Sequence, residues 1–460
     1  MAELSGTELA LKMNGSIVQG SPSKTFSAYS IDSRTSSQGS LFFALMAERN
    51  GHHFIPDALK SGAAGAVISQ VILPVDKATV LLHVEDTTLA LQILAHKILK
   101  DSDCQVVGIT GSIGKTTTKE FTSQLLAGKY TVLKSQGNFN NHLGLPLSLL
   151  NLTHEHEIAV LEMGMSRSGE IQTLTQIAPP DVAVITNIRP VHLEYFNSIE
   201  DIAAAKKELL QGAHPDGTAV LNADDFLVLD IAKDWKGKKI LFGLSDQCDI
   251  RAQKIKKMGL EGMTFQLDYG PDSAEVELPF LYDSTLENFL AAAGVAYAYS
   301  VPLQNVLDRL PYLEPSPQRG VHHRLDEDIH LIDDSYNSNP AALETALKSL
   351  SASPGQRKIA VLGDMLELGN QEESFHIQAG RAVAQNNWDL LITVGPLSRH
   401  TAEGALLNGL KKENIISFDN SSEAGAKIKK LIQKGDLILV KGSRGIRMEN
   451  IVKILLEKGE

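Results

Sequence analysis

The residues with the most evident chemistry are Thr110-Gly111-Ser112-Ile113-Gly114-Lys115-Thr116-Thr117. They stand between an apolar run, Gln105–Thr110, and a stretch over 115–127 that reads as a helix. In that context the glycines let backbone N–H groups turn toward phosphate oxygens, Lys115 balances β and γ phosphate charge, and the Thr116 hydroxyl can hold Mg²⁺. The spacing departs from the commonest form, GxxxxGK[ST], because the position five before Gly114 is Ile109. What remains is GxxGKTT. The plainer alternative is a glycine turn that only opens a helix.

A nucleoside triphosphate brings metal, and metal needs oxygen ligands at strand ends on one side of a sheet. Glu162 ends the apolar strand Ile158–Glu162, and His192 follows a second strand through Thr186-Asn187-Ile188-Arg189-Pro190. Read alone, Glu162 is equally a solvated strand end, and a lone histidine is more often structural. The segment 137–146, Gly-Asn-Phe-Asn-Asn-His-Leu-Gly-Leu-Pro, is too polar for a strand and too bounded by glycine for a helix. Its amides Asn138, Asn140 and Asn141 either bind phosphate or substrate, or stabilise a turn through Asx hydrogen bonds.

The elements that must position these groups alternate. Strands are predicted at Gln105–Thr110, Ile158–Glu162, 182–187, Thr218–Asn222 and 239–242, with helices such as 199–210 and 288–299 between them. That rhythm gives a mostly parallel sheet covered on both faces. The Pro-rich segment 311–317 breaks it and reads as a linker or hinge. A second alternation follows: strands at His330–Asp334, 358–363, 389–395, Ile415–Phe418 and 437–441, helices at 340–350, 372–386 and 422–433, and a last helix from Gly445. It resembles a Rossmann-type sheet, but no GxGxxG follows its first strand, so no nicotinamide cofactor is implied. Before Glu85 the chain is rich in Ser and Gly, with apolar runs at 41–45 and 63–68. The expected class is therefore α/β in three domains. These are a small mixed α/β N-terminal domain (1–85), a central P-loop mononucleotide-binding parallel sheet (86–313) and a C-terminal Rossmann-like domain (314–460).

Bulk composition narrows the function classes. The 460 residues carry 43 Lys plus Arg against 55 Asp plus Glu, a net charge of −12, which disfavours a nucleic-acid coat but leaves local anion sites open. Cys104 and Cys248 are distant and unaccompanied by any CxxC pair, so neither a disulfide framework nor a cysteine zinc site is expected. No signal peptide is evident at the N-terminus, and no apolar stretch reaches the ~20 residues of a membrane span. A cytoplasmic protein, without membrane insertion and monomeric, is the expectation.

Together these segments resemble the Mur ligases of peptidoglycan synthesis, enzymes of cell-wall building and so of cell shape and division. TGSIGKTT, GNFNNHLGLP, Glu162, TNIRPVHLE and Ala204-Ala205-Lys206 occur in that family's order. Asp32-Ser33-Arg34, 39–44 and 51–54 add to the likeness in the first domain, and Leu221-Asn222-Ala223-Asp224 in the second. Three C-terminal stretches, 333–340, 362–369 and 440–444, point to the branch that joins D-alanyl-D-alanine to UDP-MurNAc-tripeptide with ATP. One departure is Asn50, where the family usually has an acid before the Gly-His of the first domain.

The resemblance implies roles residue by residue. Ser33 and Arg34 would hold the uridine diphosphate. Thr110, Gly111, Ser112, Gly114, Lys115, Thr116 and Thr117 would hold the ATP phosphates, and Thr116 and Glu162 the magnesium. His192 would bind a second metal, joined by Lys206 carbamoylated by CO₂. Lys115, Glu162, His192 and Lys206 would be the catalytic set. Asn222, Arg319, Asp334 and Asn337 would surround the nucleotide. Asn138, Asn140, Asn141, Asp364, Ser443 and Arg444 would meet the substrates, the last two near D-alanyl-D-alanine. Asp364 is alternatively a helix-capping acid, Arg34 and Arg444 solvated cations, and Tyr336 either a base-stacking or a packed ring. Rival readings are the related ligase that adds the third peptide residue, folylpolyglutamate synthetase, a GTPase switch and a non-catalytic binding protein. No NKxD-type motif supports the switch, since Asn187 is followed by Ile188 and Arg189.

Overall fold

The computed structural model describes residues 3–71, 75–190, 194–196, 198–325, 328–353 and 357–457. Its strands fall mainly into three sheets, each drawn from its own stretch of chain. In the first, five strands run in the order Ser16–Gln19, Val80–His83, Gly65–Ile68, Leu41–Phe43, Tyr29–Ser30; one edge pair is antiparallel and the rest are parallel.

Helix Thr87–Lys100 leaves that sheet for the next. Asp86 starts it by accepting the amides of Thr88 and Leu89 at 2.7 and 2.9 Å, and Ala90, Leu91, Leu94, Ala95 and Ile98 form its buried stripe at helical spacing. Thr87 Oγ1 reaches back to Ala44 O at 3.0 Å, and Gln92 Nε2 reaches forward to His142 O at 3.1 Å.

Nine strands make the central sheet. From Ile250–Lys257 through Lys238–Gly243, Thr218–Asn222, Val182–Ile185, Gln105–Thr110 and Ile158–Glu162 to Val132–Lys134, neighbours are parallel. The middle strands read as unbroken apolar runs because helices cover both faces. Register matters for the site: Glu162 lies opposite Ile109 and Ile185 opposite Thr110, so these strands all end at one edge, where the phosphate-loop candidate begins. Helices Lys115–Leu126 and Asp283–Ala298 pack on one face, with the Phe121 and Phe280 rings stacked at 5.1 Å.

The third sheet has the order Val321–Arg324, His330–Asp334, Asp436–Lys441, Arg357–Gly363, Leu390–Val394, Ile415–Phe418, parallel except for the first pair. Pro340 occupies the first turn of helix Pro340–Ser351, capped by Asn339 Oδ1 on Ala342 N at 2.9 Å.

The structure departs from the sequence expectations in three places. The central sheet continues past its parallel part into an antiparallel meander, Ile250–Lys257, Met263–Tyr269 and Asp272–Leu278. Segment 137–146 does contain helical residues: Asn141 Oδ1 accepts the amides of Leu143 and Gly144 at 3.2 and 2.8 Å and opens helix Gly144–Leu149. The last helix begins at Glu449, not Gly445, because Arg447 sits in left-handed backbone at φ +56° after a 3₁₀ turn, Arg444–Ile446. Among the described residues no helix is long and apolar enough to cross a membrane.

Candidate functional site

A cleft of about 650 Å³ opens between the carboxyl edge of the central sheet and the facing edge of the third sheet. Its floor is the loop from Ser112 to Thr117. Gly114 takes φ +89°, and a Cβ there would stand 2.0 Å from Asn288 Oδ1, so only glycine allows the helix to begin this close to its neighbour. Asn187 and Thr186, at the end of the adjacent strand, brace the loop. Asn187 Oδ1 accepts from Ile113 N at 3.0 Å, Asn187 O accepts from Ser112 N at 3.0 Å, and Thr186 Oγ1 donates to Ile113 O at 2.7 Å.

Lys115 curls over this loop, donating to Gly111 O at 2.9 Å and Ser112 O at 3.5 Å. Burial lowers its pKa, the Glu162 carboxylate opposes that, and the Arg319 guanidinium adds to it. An anion bound here would supply the countercharge. Thr116 Oγ1 donates to Glu162 Oε2 at 2.8 Å while Asn140 Nδ2 donates to Glu162 Oε1 at 2.8 Å, so both carboxylate oxygens have a fixed direction.

From across the cleft, Arg319 Nη2 donates to Thr116 Oγ1 at 3.2 Å. Its guanidinium lies 4.2 Å from the centre of the Tyr336 ring, and that of Arg444 lies 5.6 Å from the same ring. Asp334 and Lys441 pair in register at the ends of adjacent strands, and their side chains meet at 2.7 Å, both buried. Burial raises the Asp334 pKa, against the pull of Lys441 and Arg319. Lys441 Nζ also donates to Asn337 O at 3.1 Å.

Of the residues singled out from sequence, Ser112, Gly114, Lys115, Thr116, Thr117, Asn138, Asn140, Asn141, Glu162, Arg319, Asp334, Asn337, Ser443 and Arg444 line this one cleft. Others do not. Thr110 is fully buried at the strand end behind the loop. Asn222 is spent inside the sheet edge, its Nδ2 donating to Thr186 O at 2.9 Å and its Oδ1 accepting from Asp224 N at 2.9 Å. Asp364 is buried outside the cleft lining, its carboxylate accepting from Ser398 N at 2.6 Å, where helix Ser398–Leu407 begins. Ser33 and Arg34 lie in the first domain away from the cleft, with the exposed Arg34 paired to Asp32 at 2.6 Å. Lys206 is buried on helix Ile199–Gly212 outside the cleft lining. His192 lies outside the described residues.

Sequence reasoning missed the Thr186–Asn187 brace, the cleft-lining Tyr282, Thr285 and Asn288 at the start of helix Asp283–Ala298, and Lys441 as the partner of Asp334. The first was open to inference, since an amide directly after a parallel strand stands beside its neighbour's turn. The last needed the strand register.

A glycine-rich loop at a helix N-terminus, oxygen ligands at the neighbouring strand end and a second α/β sheet facing them define a P-loop enzyme whose site lies between two domains. Residues 109–296 match the model of the Mur ligase middle domain, and 320–444 match that of the Mur ligase glutamate ligase domain. The chain is 35% identical over 428 residues to the UDP-N-acetylmuramoyl-tripeptide–D-alanyl-D-alanine ligase of Bacillus subtilis, covering 93% of this chain and 92% of that one. It is 34% identical to the Escherichia coli ligase of the same name over 448 residues, 95% of each chain. A crystal structure of MurF from Acinetobacter baumannii aligns over the full length of both chains with a TM-score of 0.90 and 31% identity. The MurF ligase of Thermotoga maritima, solved with ADP, covers 93% of this chain and 96% of its own with a TM-score of 0.80 and 30% identity. The chain belongs to the Mur ligase family, whose members are ligases.

Proposed function

We propose that this protein joins D-alanyl-D-alanine to UDP-MurNAc-tripeptide, using ATP, in peptidoglycan biosynthesis. The observation that carries the reading is the cleft itself: the phosphate loop with Thr116 and Glu162 on one wall faces Arg444, Ser443 and the Asp334–Lys441 pair on the other. A carboxylate resists attack by an amine, because it is anionic and has no good leaving group. Its oxygen attacks the γ-phosphorus, ADP leaves, and the resulting acyl phosphate accepts the dipeptide amine. The amine nitrogen bonds to the carbonyl carbon, loses a proton, and phosphate departs.

In this reading Lys115 neutralises charge on the phosphates, and Arg319 reaches them from the facing domain as it now reaches Thr116. The donor set fits Mg²⁺. Thr116 and Glu162 offer two oxygens 2.8 Å apart, and magnesium is commonly held by one or two protein ligands plus phosphate oxygens and water. Phosphate oxygens of the nucleotide and water would complete the coordination. Bound there, the ion stabilises negative charge as it builds on the transferring phosphoryl group. His192 is assigned to a second metal together with a carbamoylated Lys206.

The domain roles follow. Residues 1–85, with Ser33 and Arg34, take the uridine diphosphate end; 86–313 take ATP; 314–460 take the dipeptide. Segment 311–320 is the hinge, and closure keeps water from the acyl phosphate. The protein works as a cytoplasmic monomer.

Two experiments test this reading. Phosphate release from ATP with UDP-MurNAc-tripeptide should depend on D-alanyl-D-alanine and not on L-lysine, diaminopimelate or the absence of an amine. Dependence on L-lysine or diaminopimelate would move the chain to the branch that adds the third residue. Arg444 lies over Tyr336 with its Nη1 against Gln318 Oε1 at 3.2 Å and Glu449 Oε1 at 3.3 Å, so the remaining N–H groups of the guanidinium are the ones offered to the free carboxylate of the dipeptide. Arg444→Ala is expected to raise KM for D-alanyl-D-alanine about tenfold to a hundredfold, with much smaller changes for ATP and the nucleotide-sugar. If ATP affinity fell most, the dipeptide site is misplaced.

A further inference from the structure

One buried titratable side chain beside the cleft has no part in the steps above. Lys119 lies on helix Lys115–Leu126, one turn beyond Lys115 and Thr116, and its side chain has no exposed surface. A buried ammonium persists only when its donors are used. Here Nζ donates to Ser135 O at 2.8 Å and Gly137 O at 3.0 Å, and lies 3.1 Å from Glu120 Oε1.

Both carbonyls belong to the chain that leaves strand Val132–Lys134 and enters the amide loop. Ser135, itself fully buried, accepts the Glu162 N–H on its Oγ at 3.2 Å. A few residues on, Asn140 donates its side-chain amide to Glu162 Oε1, and Asn140 O accepts from Gly164 N at 2.8 Å. The helix that carries Lys115 and Thr116 and the loop that aims Glu162 are therefore tied through one ammonium.

We propose that Lys119 is a positioning residue: by holding residues 135 and 137 against the phosphate-loop helix, it fixes Asn140 so that the Glu162 carboxylate is presented to the metal beside Thr116. This rests on the assignment of Glu162 and Thr116 to magnesium made above. Glu120, which also pairs with Lys134 at the surface, is not among the residues that line the cleft.

The test is a double-mutant cycle on the full chain with Lys119→Met, Asn140→Ala and both together, read as the Mg²⁺ midpoint, both for binding by titration calorimetry in the presence of ATP and for half-maximal activity, and as KM for UDP-MurNAc-tripeptide. Each single change should raise the Mg²⁺ midpoint roughly tenfold to a hundredfold, as loss of a residue behind a metal ligand does. In the Lys119 variants KM for the nucleotide-sugar should stay near wild type, and the Mg²⁺ midpoint of the double variant should be no worse than that of the stronger single. Lys119→Gln, which keeps one donor, gives an intermediate midpoint and stands in should the methionine variant not fold. Lys134→Ala should match wild type. A raised midpoint in Asn140→Ala with a wild-type midpoint in the Lys119 variants, or additive effects in the double variant, overturns the inference alone. A wild-type midpoint in Asn140→Ala overturns the inference, and a wild-type midpoint in Glu162→Ala overturns the metal assignment and the inference with it.

Discussion

Lys115→Ala is expected to lower kcat by on the order of 10²-fold or more while leaving the thermal melt unchanged. The side chain is partly exposed and its hydrogen bonds go to carbonyls of its own loop, so its removal leaves no core cavity. Burial and the nearby Arg319 already disfavour its charge, an unfavourable arrangement for the free protein that a bound polyphosphate reverses. The charge is thus placed for a ligand. Steady-state kinetics beside a melting curve check the expectation, and turnover within a few-fold of wild type at unchanged melting would sink the phosphate-loop assignment.

A comparable loss is expected for Lys206→Ala, and none for its neighbour. Lys206 sits on helix Ile199–Gly212 between the buried Ala203, Ala205 and Leu209, and among the described residues no hydrogen bond or ion pair engages its ammonium. Burial, then repulsion from Lys115, pushes its pKa well below that of an ordinary lysine. The neutral amine that burial favours is the form that adds to CO₂, releasing a proton and leaving a carbamate whose oxygens can ligate metal. Lys207 instead points outward to Asp234 at 3.4 Å. In sequence His192 and Lys206 are fourteen residues apart, as the family pattern has them. Lys206→Ala should therefore fall by roughly 10²-fold or more and recover in part with added short carboxylic acids, while Lys207→Ala stays close to wild type. The reverse pattern, or loss without any rescue in a folded variant, would count against the carbamate.

Much of this architecture was legible in the chain. Parallel strands buried on both faces, such as Val182–Ile185 and Ile158–Glu162, announce themselves as short apolar runs, and the glycine loop between strand and helix has few other uses. The antiparallel extension was equally open to inference: Met263–Tyr269 alternates apolar and polar residues, and its burial alternates with them. Its period of two, not its hydrophobicity, was the signal. Harder to see were groups whose meaning depends on register or on a distant amide. Nothing near Asp334 in sequence points to Lys441, a hundred residues on, until strands His330–Asp334 and Asp436–Lys441 are paired. The Asp364 carboxylate is found against Ser398 N and the Asn222 amide against Thr186 O, partners that neither residue's place in the sequence points to. Short polar side chains at strand ends serve turns and ligands alike, so type and spacing alone do not separate the two uses.

Central to the proposed reaction is activation of the tripeptide carboxylate by phosphorylation in this cleft. The most direct measurement supplies UDP-MurNAc-tripeptide labelled with ¹⁸O in its terminal carboxylate, together with ATP and D-alanyl-D-alanine, and weighs the released phosphate. Because the oxygen that attacks the γ-phosphorus leaves with the phosphoryl group, the labelled oxygen should appear in phosphate as the amide forms. Amide formation accompanied by phosphate free of ¹⁸O would contradict it.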